Sequence, residues 1–255
     1  MPWPDLSELT FGFSFLREFE QSYAPSGTFP KAPDFISQYD EATLGYDVNA
    51  WLDNSTPVFF QFKRSFVVRS SQAKEITVGH FAGPILYRMH LRRKNDYAQH
   101  RALQDLETSG NAVFYITSQI ESSVELTVAY TSGTVLDQAA AWFSPLEINL
   151  PNLTEDHWLS FRAGDPTYRL YSEEGFAHER KYQNWSDVNP SLLARRGSSD
   201  QNLAALSQVV SRLSGRDHEA TRLARRFEHP AIQASILAFL TLDTQLTFFK
   251  AKSED

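Results

Sequence analysis

The chain contains no cysteine, which excludes disulfides, thiolate metal ligands and cysteine nucleophiles. It has no excess of positive charge either. Its 24 Lys and Arg face 31 Asp and Glu, for a net charge of −7. That balance argues against a protein that coats nucleic acid through bulk charge, while a local field in a cleft still can attract a polyanion. Long hydrophobic runs are missing. The longest, from Ala231 to Leu242, is interrupted by Gln233 and Ser235 and is too short to cross a bilayer, so no membrane partner is expected. The first residues, MPWPDLSELTF, carry prolines and acids and no basic segment. No secretory signal is expected from them, and a cytoplasmic protein is the default. There is no G-x-G-x-x-G, no P-loop and no G-x-S-x-G elbow. Nucleotide-driven chemistry and Ser-His-Asp catalysis therefore have no support. His90 and His100 fall in no metal-ligand spacing and read as packing or surface residues.

What the chain does have is enough length and apolar content for a buried core. Its 255 residues include 19 Phe, which argues against disorder over most of the chain. Asp5 or Ser7 is placed to cap a first helix. Leu9, Phe13, Leu16 and Tyr23 form one apolar row, and Phe11, Phe15 and Phe19 a second, so this helix is expected to be covered on most of its surface. Two strands follow, at 46–52 and 58–62, joined by the turn residues Asp53-Asn54-Ser55-Thr56-Pro57. ILYRMHL reads as a third extended segment. A helix is expected over Asn95–Glu107, closed by Ser109-Gly110, then a central buried strand over Ala112–Thr117. LTVAY and HWLSF are open to either strand or helix. From Ser198 the spacing of Leu203, Leu206, Val210 and Leu213 is helical. The expected fold is mixed α/β, with a central sheet flanked by helices over residues 1–165 and a mainly helical C-terminal appendage over 166–255.

The most informative phrase is GYDVNAWLDNSTPVFFQFKRS, residues 45–65. It sets Asp47 on one extended segment and Gln61 and Lys63 on the next. Residues i and i+2 of a strand share a face, so Gln61 and Lys63 are able to meet Asp47 across a pair of strands. A carboxylate, a neutral oxygen and an ammonium arranged so suit a hard divalent cation and a phosphate.

Gly45, Asp47, Gln61 and Lys63, with the helix before them and the helix and strand after them, resemble the PD-(D/E)xK nuclease superfamily. The resemblance is to its Mrr-like restriction endonucleases, in which the second motif is often QxK. It covers about half of the chain. It departs from the family where Tyr46 precedes Asp47 in place of proline, and where Gln61 replaces an acid. The resemblance implies a restriction-endonuclease-like fold and a Mg²⁺- or Mn²⁺-dependent endonuclease acting on DNA, with RNA as an alternative substrate. It also implies a role in bacterial restriction or anti-phage defence, as a homodimer or as a subunit of a defence complex. Asp47, Gln61 and the Phe62 carbonyl would hold the metal, and Lys63 would act on the attacking water. With only Asp47 charged, a further carboxylate is needed. Glu8, at the start of the first helix, ranks first, with Glu18 and Glu41 behind it. Glu8 and Glu18 lie about 80° apart around the helix and are not expected to act together. Arg88, Arg92, Arg93 and Lys94 are the candidate contacts to the nucleic-acid backbone.

Each of these residues also has a structural reading. Asp47 is open to being a turn cap, Gln61 and Lys63 to being the solvated face of an edge strand, and the basic run to being ordinary surface. Asp47 and Lys63 taken as a purely structural ion pair give the alternative function, a non-catalytic interaction protein or scaffold on a degenerate nuclease fold.

Overall fold

Ser7 opens the first helix, α1 (Glu8–Tyr23). Its Oγ accepts the Thr10 N–H at 3.0 Å, satisfying one of the donors that a helix start leaves without an intrahelical partner. Phe11, Phe15 and Phe19 recur every four residues and are buried. Phe15 lies 5.5 Å from the Phe62 ring and 4.8 Å from Trp142, centroid to centroid. The other expected row is only partly covered: Leu16 is buried, whereas Leu9 and Phe13 are exposed.

The computed structural model describes residues 6–23, 32–35, 45–52, 57–91, 93–173 and 175–195. After α1 come β1 (Asp34–Phe35), β2 (Val48–Trp51), β3 (Pro57–Lys63) and β4 (Ser65–Val68). A one-turn helix α2 (Lys74–Thr77), β5 (Leu86–Leu91) and α3 (Lys94–Thr108) follow. Next are β6 (Ala112–Ser118), α4 (Ser123–Ser132), a helical turn at Val135–Ala139 and β7 (Ala140–Phe143). The described chain closes with β8 (His157–Phe161), β9 (Thr167–Ser172), β10 (Phe176–Lys181) and α5 (Trp185–Arg195). The result is a mixed α/β chain with two five-stranded sheets, ordered β1-β2-β3-β6-β7 and β10-β9-β8-β5-β4. The chain divides into two compact units. One takes Met1–Ser22, Gln61–Tyr97 and Phe114–Pro190, and the other Tyr23–Phe60, Ala98–Val113 and Ser191–Asp255.

In the second of these units β2 pairs antiparallel with β1 and with the opening residues of β3. Asn111 Nδ2 donates to the Leu106 carbonyl at 2.9 Å and ties off the end of α3, where Gly110 takes the left-handed φ of 91° that ends helices. In the first unit all neighbours in the second sheet are antiparallel. One face of that sheet buries Met89, Leu159, Phe161, Tyr168 and Leu170, with Phe143 5.3 Å from both Phe161 and Tyr168. The other face packs Val68, Leu86 and Tyr171 against Phe81.

Two expectations change here. ILYRMHL is a strand, but it joins the second sheet beside β8 and not the sheet of β2 and β3. Its own alternation suits that place, because Tyr87, Met89 and Leu91 are buried while Arg88 and His90 on the opposite side are half-buried. The C-terminal region also begins with strands. TYRLYS buries Tyr168 and Leu170 on either side of half-buried Arg169, a period of two, and β9 and β10 pair with each other and with β8. The boundary expected at 165 therefore falls within a sheet hairpin. The helical pattern that starts at Ser198 lies outside the described residues. Of the two ambiguous segments, HWLSF is β8. LTVAY lies in α4, whose start carries a capping box between Ser122 and Glu125.

Candidate metal and phosphate centre

Gly45 begins the candidate site with a φ of 85°. A Cβ at this position would stand 2.8 Å from the Gln99 carbonyl oxygen on α3. Only glycine allows both the left-handed backbone and that approach. Tyr46 then packs its ring edge-on against Phe59 at 4.8 Å. The Asp47 N–H donates to the Phe60 carbonyl at 2.9 Å, and the ladder continues with Val48 opposite Phe60 and Asn49 opposite Phe59. Directly opposed residues of an antiparallel pair share a face. Asn49 and Phe59 thus lie on one side, while Val48, Ala50 and Phe60 are fully buried on the other. Asp47 itself is half-buried at the mouth of the strand.

Beyond Phe60, β3 runs on to Gln61, Phe62 and Lys63. Phe62 packs on α1 through Phe11 and Phe15, so alternation turns Gln61 and Lys63 to the opposite side. Gln61 is only 1% exposed, and its Nε2 donates to the Phe62 carbonyl at 3.1 Å. That carbonyl is the expected backbone ligand. Lys63 is half-buried at the strand end.

The candidate carboxylates separate clearly. Glu8 stands half-buried in the first turn of α1, where a negative charge is favoured by the helix dipole. Glu18 is committed elsewhere. Its two oxygens accept the backbone N–H groups of Val135 at 2.7 Å and Leu136 at 3.3 Å, the open donors at the start of the 135–139 turn. Glu41 lies outside the described residues.

The expected basic groove does not take shape around Arg88. Its guanidinium faces Glu75, a fully buried carboxylate on α2 that also accepts from Trp158 Nε1 at 3.0 Å and Ser160 Oγ at 2.7 Å. A charge neutralised in this way is not presented to a phosphate. Arg93 is exposed and donates to the Thr154 carbonyl. Arg92 and the side chain of Lys94 lie outside the described residues.

Two polar residues of the β1–β2 pair escaped the sequence reading. Asn49 is 2% exposed, and its Oδ1 has no hydrogen-bond partner; leaving a buried acceptor so costs about 1–3 kcal/mol. Asp34 on β1 is exposed and directly opposite Asn49. The i, i+2 spacing of Asp47 and Asn49 was the available sequence signal for the asparagine, whereas nothing local marks Asp34. Among the described residues no three His, Cys, Asp or Glu side chains gather closely enough to hold a metal ion. The side-chain oxygens of Asp47 and Gln61 are of the hard kind that Mg²⁺ or Mn²⁺ takes. The chain matches no family model, no curated protein and no solved structure.

Proposed function

We propose that the chain is a metal-dependent endonuclease of the PD-(D/E)xK type, hydrolysing DNA phosphodiester bonds. The observation that carries this reading is the bond from the Asp47 N–H to the carbonyl of Phe60. Phe60 is the residue immediately before Gln61-Phe62-Lys63 in the chain. Further support comes from the order of elements. The expected order is met in part: α1, β2, β3, α3 and β6 follow one another, while ILYRMHL, the third strand of that order, lies in the second sheet. On this reading the fold is restriction-endonuclease-like.

The Asp47 carboxylate and the Phe62 carbonyl would hold Mg²⁺ or Mn²⁺, with Gln61 fixing the carbonyl's orientation through its own amide. The cation, once bound, supplies Lewis acidity and a water of lowered pKa. Lys63 offsets the charge that builds on the phosphate and orients the attacking water. Cutting both strands of a duplex calls for two copies of this centre, which makes a homodimer the natural assembly. A cytoplasmic defence complex is the context that this activity suits.

The rival reading is a non-catalytic scaffold that keeps Asp47 and Lys63 for structure. It gains weight from the engagement of Arg88 with Glu75, which removes one expected phosphate contact. Plasmid cleavage in Mg²⁺ or Mn²⁺ separates the two. Asp47→Asn and Lys63→Ala should each lower the cutting rate by roughly 10²–10³-fold with the fold retained. Intact plasmid in every metal, together with a Lys63→Ala variant altered only in thermal stability, would leave the scaffold reading standing.

A further inference from the structure

We propose that His157 and His178 form a pH-sensitive latch on the segment joining β7 to β8, closed while both imidazoles are neutral and opened by their protonation. All of its parts belong to one compact unit. His157 begins β8, and its Nε2 lies 2.8 Å from the carbonyl oxygen of Asn152. His178 stands on β10, with its Nε2 3.2 Å from the carbonyl oxygen of Asn149. The two histidines thus hold one short stretch, 149–152, by its backbone at either end. The residues just beyond it do not depend on histidine. Asn152 Oδ1 accepts the N–H groups of Thr154 and Glu155 at 3.1 Å each, and the Tyr97 hydroxyl donates to the Glu155 carbonyl at 2.5 Å.

A carbonyl oxygen only accepts, so each Nε2 carries a proton. The neutral ring then presents a bare Nδ1. Both Nδ1 atoms are buried and find no hydrogen-bond partner among the described residues. Protonation of either ring sets a new N–H and a positive charge at a buried atom that no acceptor meets, a cost borne by the closed form alone. No carboxylate forms an ion pair with either ring among the described residues. Around His157, Tyr97 of α3 lies 5.5 Å away ring to ring and accepts the His157 N–H. Arg93, Glu155 and Asp156 act on that hydroxyl. Uncharged Leu91 and Ser172 stand opposite His157 on the flanking strands, and Lys74 reaches the Ser172 carbonyl. Around His178 are Leu170 and Tyr168 of β9 and Arg180 of its own strand. Burial pushes the His178 ring below its ordinary 6.5, Arg180 adds to that, and the Asn149 carbonyl opposes it. A histidine depressed in the folded state contributes stability that is present above its unfolded pKa and is lost as pH falls through the folded one. The latch is therefore closed at neutral pH and loosens below about 6.5, the range in which histidine serves as a switch. It is independent of the nuclease reading.

The chain has no cysteine, so a single introduced one carries a spin label cleanly. Pro151→Cys places the label at an exposed position inside the latched stretch, and Val124→Cys on exposed α4 serves as the control. Between about pH 7.5 and about pH 5 the ratio of mobile to immobile label at position 151 should rise by about tenfold or more, since each proton that the closed form refuses multiplies the opening equilibrium. The control should not change. His157→Gln/His178→Gln keeps an N–H donor at each place but cannot titrate, and should hold the label immobile at both pH values. Mobility at 151 that ignores pH, or that responds to pH equally in the glutamine variant, would overturn the latch. Imidazole nitrogen spectra of the wild-type chain give a second measurement. Both rings should be neutral and protonated at Nε2 at about pH 7.5, and an Nδ1–H form at either would overturn the proposal. Should the glutamine variant be mobile already at neutral pH, the wild-type titration decides. The rings must take up protons over the range that frees the label, and protonation without release, or release without protonation, defeats the latch.

Discussion

Arg88 lies against Glu75 with its Nη2 2.7 Å and 2.8 Å from the two carboxylate oxygens and its Nε 3.0 Å from Oε1. The same carboxylate receives Trp158 and Ser160, and the guanidinium stacks 5.1 Å above the Trp158 ring. α2 is thereby fastened onto the second sheet through a fully buried carboxylate. The strength of such a pair lies less in its formation than in the penalty for breaking it.

Removing one partner should accordingly be worse than removing both. Glu75→Leu or Arg88→Met alone is expected to destabilise the fold by roughly 3–5 kcal/mol, because each strands the other charge. The double variant Glu75→Leu/Arg88→Met should recover a substantial part of that loss. Urea denaturation of the four proteins, treated as a double-mutant cycle, measures the coupling.

The pair also sets an acid limit. Burial pushes the Glu75 carboxyl up, but the Ser160 hydroxyl, the residue's own backbone N–H and the Arg88 charge together outweigh it and hold it below its ordinary 4.5. A carboxyl depressed in the folded state contributes stability that is present above its unfolded pKa and is lost as pH falls through the folded one. Wild-type stability should therefore decline below about pH 4.5, its value in the unfolded chain. Glu75→Gln, less stable at neutral pH, should show a flatter profile over that acid range. Thermal midpoints recorded from neutral pH downward give both curves.

Glu18 acts as a cap for a turn distant in sequence. Glu18→Ala takes the acceptor from the Val135 and Leu136 N–H groups and should destabilise by about 1–2 kcal/mol, the scale of a lost helix cap. Glu18→Gln keeps a neutral acceptor and should lose less. Equal losses in the two variants, measured by urea denaturation, would mean that the charge and not the acceptor matters.

The two glycines near the motif should respond in opposite directions. Gly45→Ala meets the Gln99 carbonyl at 2.8 Å in a left-handed backbone and should lower stability by at least about 1–2 kcal/mol. Gly12→Ala on α1 finds the Phe62 ring at 3.5 Å, an ordinary contact distance, and should raise stability by about 0.5–1 kcal/mol through the helix backbone. Differential scanning calorimetry of both variants decides it.

Much of the fold was legible where local chemistry is strong. Ser7 as a helix cap, the phenylalanine row of α1, the close of α3 at Gly110 and the burial of β6 all follow from periodicity and turn chemistry within one segment. The strands of residues 167–181 were missed because Arg169, His178, Glu179, Arg180 and Lys181 make them look like surface, and only pairing with β8 shows β9 to be half-buried. Arg88 was misread for a related reason. A run of basic residues looks like a solvated stripe until strand alternation separates Arg88 from its neighbours and brings Glu75 to it.

The sequence by itself determined the types of most elements, the absence of thiol chemistry and the presence of Asp47 just before one strand with Gln61-Phe62-Lys63 on the next. These are properties of neighbours along the chain. Tertiary structure alone decided that β5 joins the second sheet, that Glu18 caps the turn at Val135, that Arg88 belongs to Glu75 and that Asp34 stands opposite Asn49. Each of those depends on which distant segments pair and in what register. That choice is made by the burial of whole strand faces, and no single residue along the way announces it.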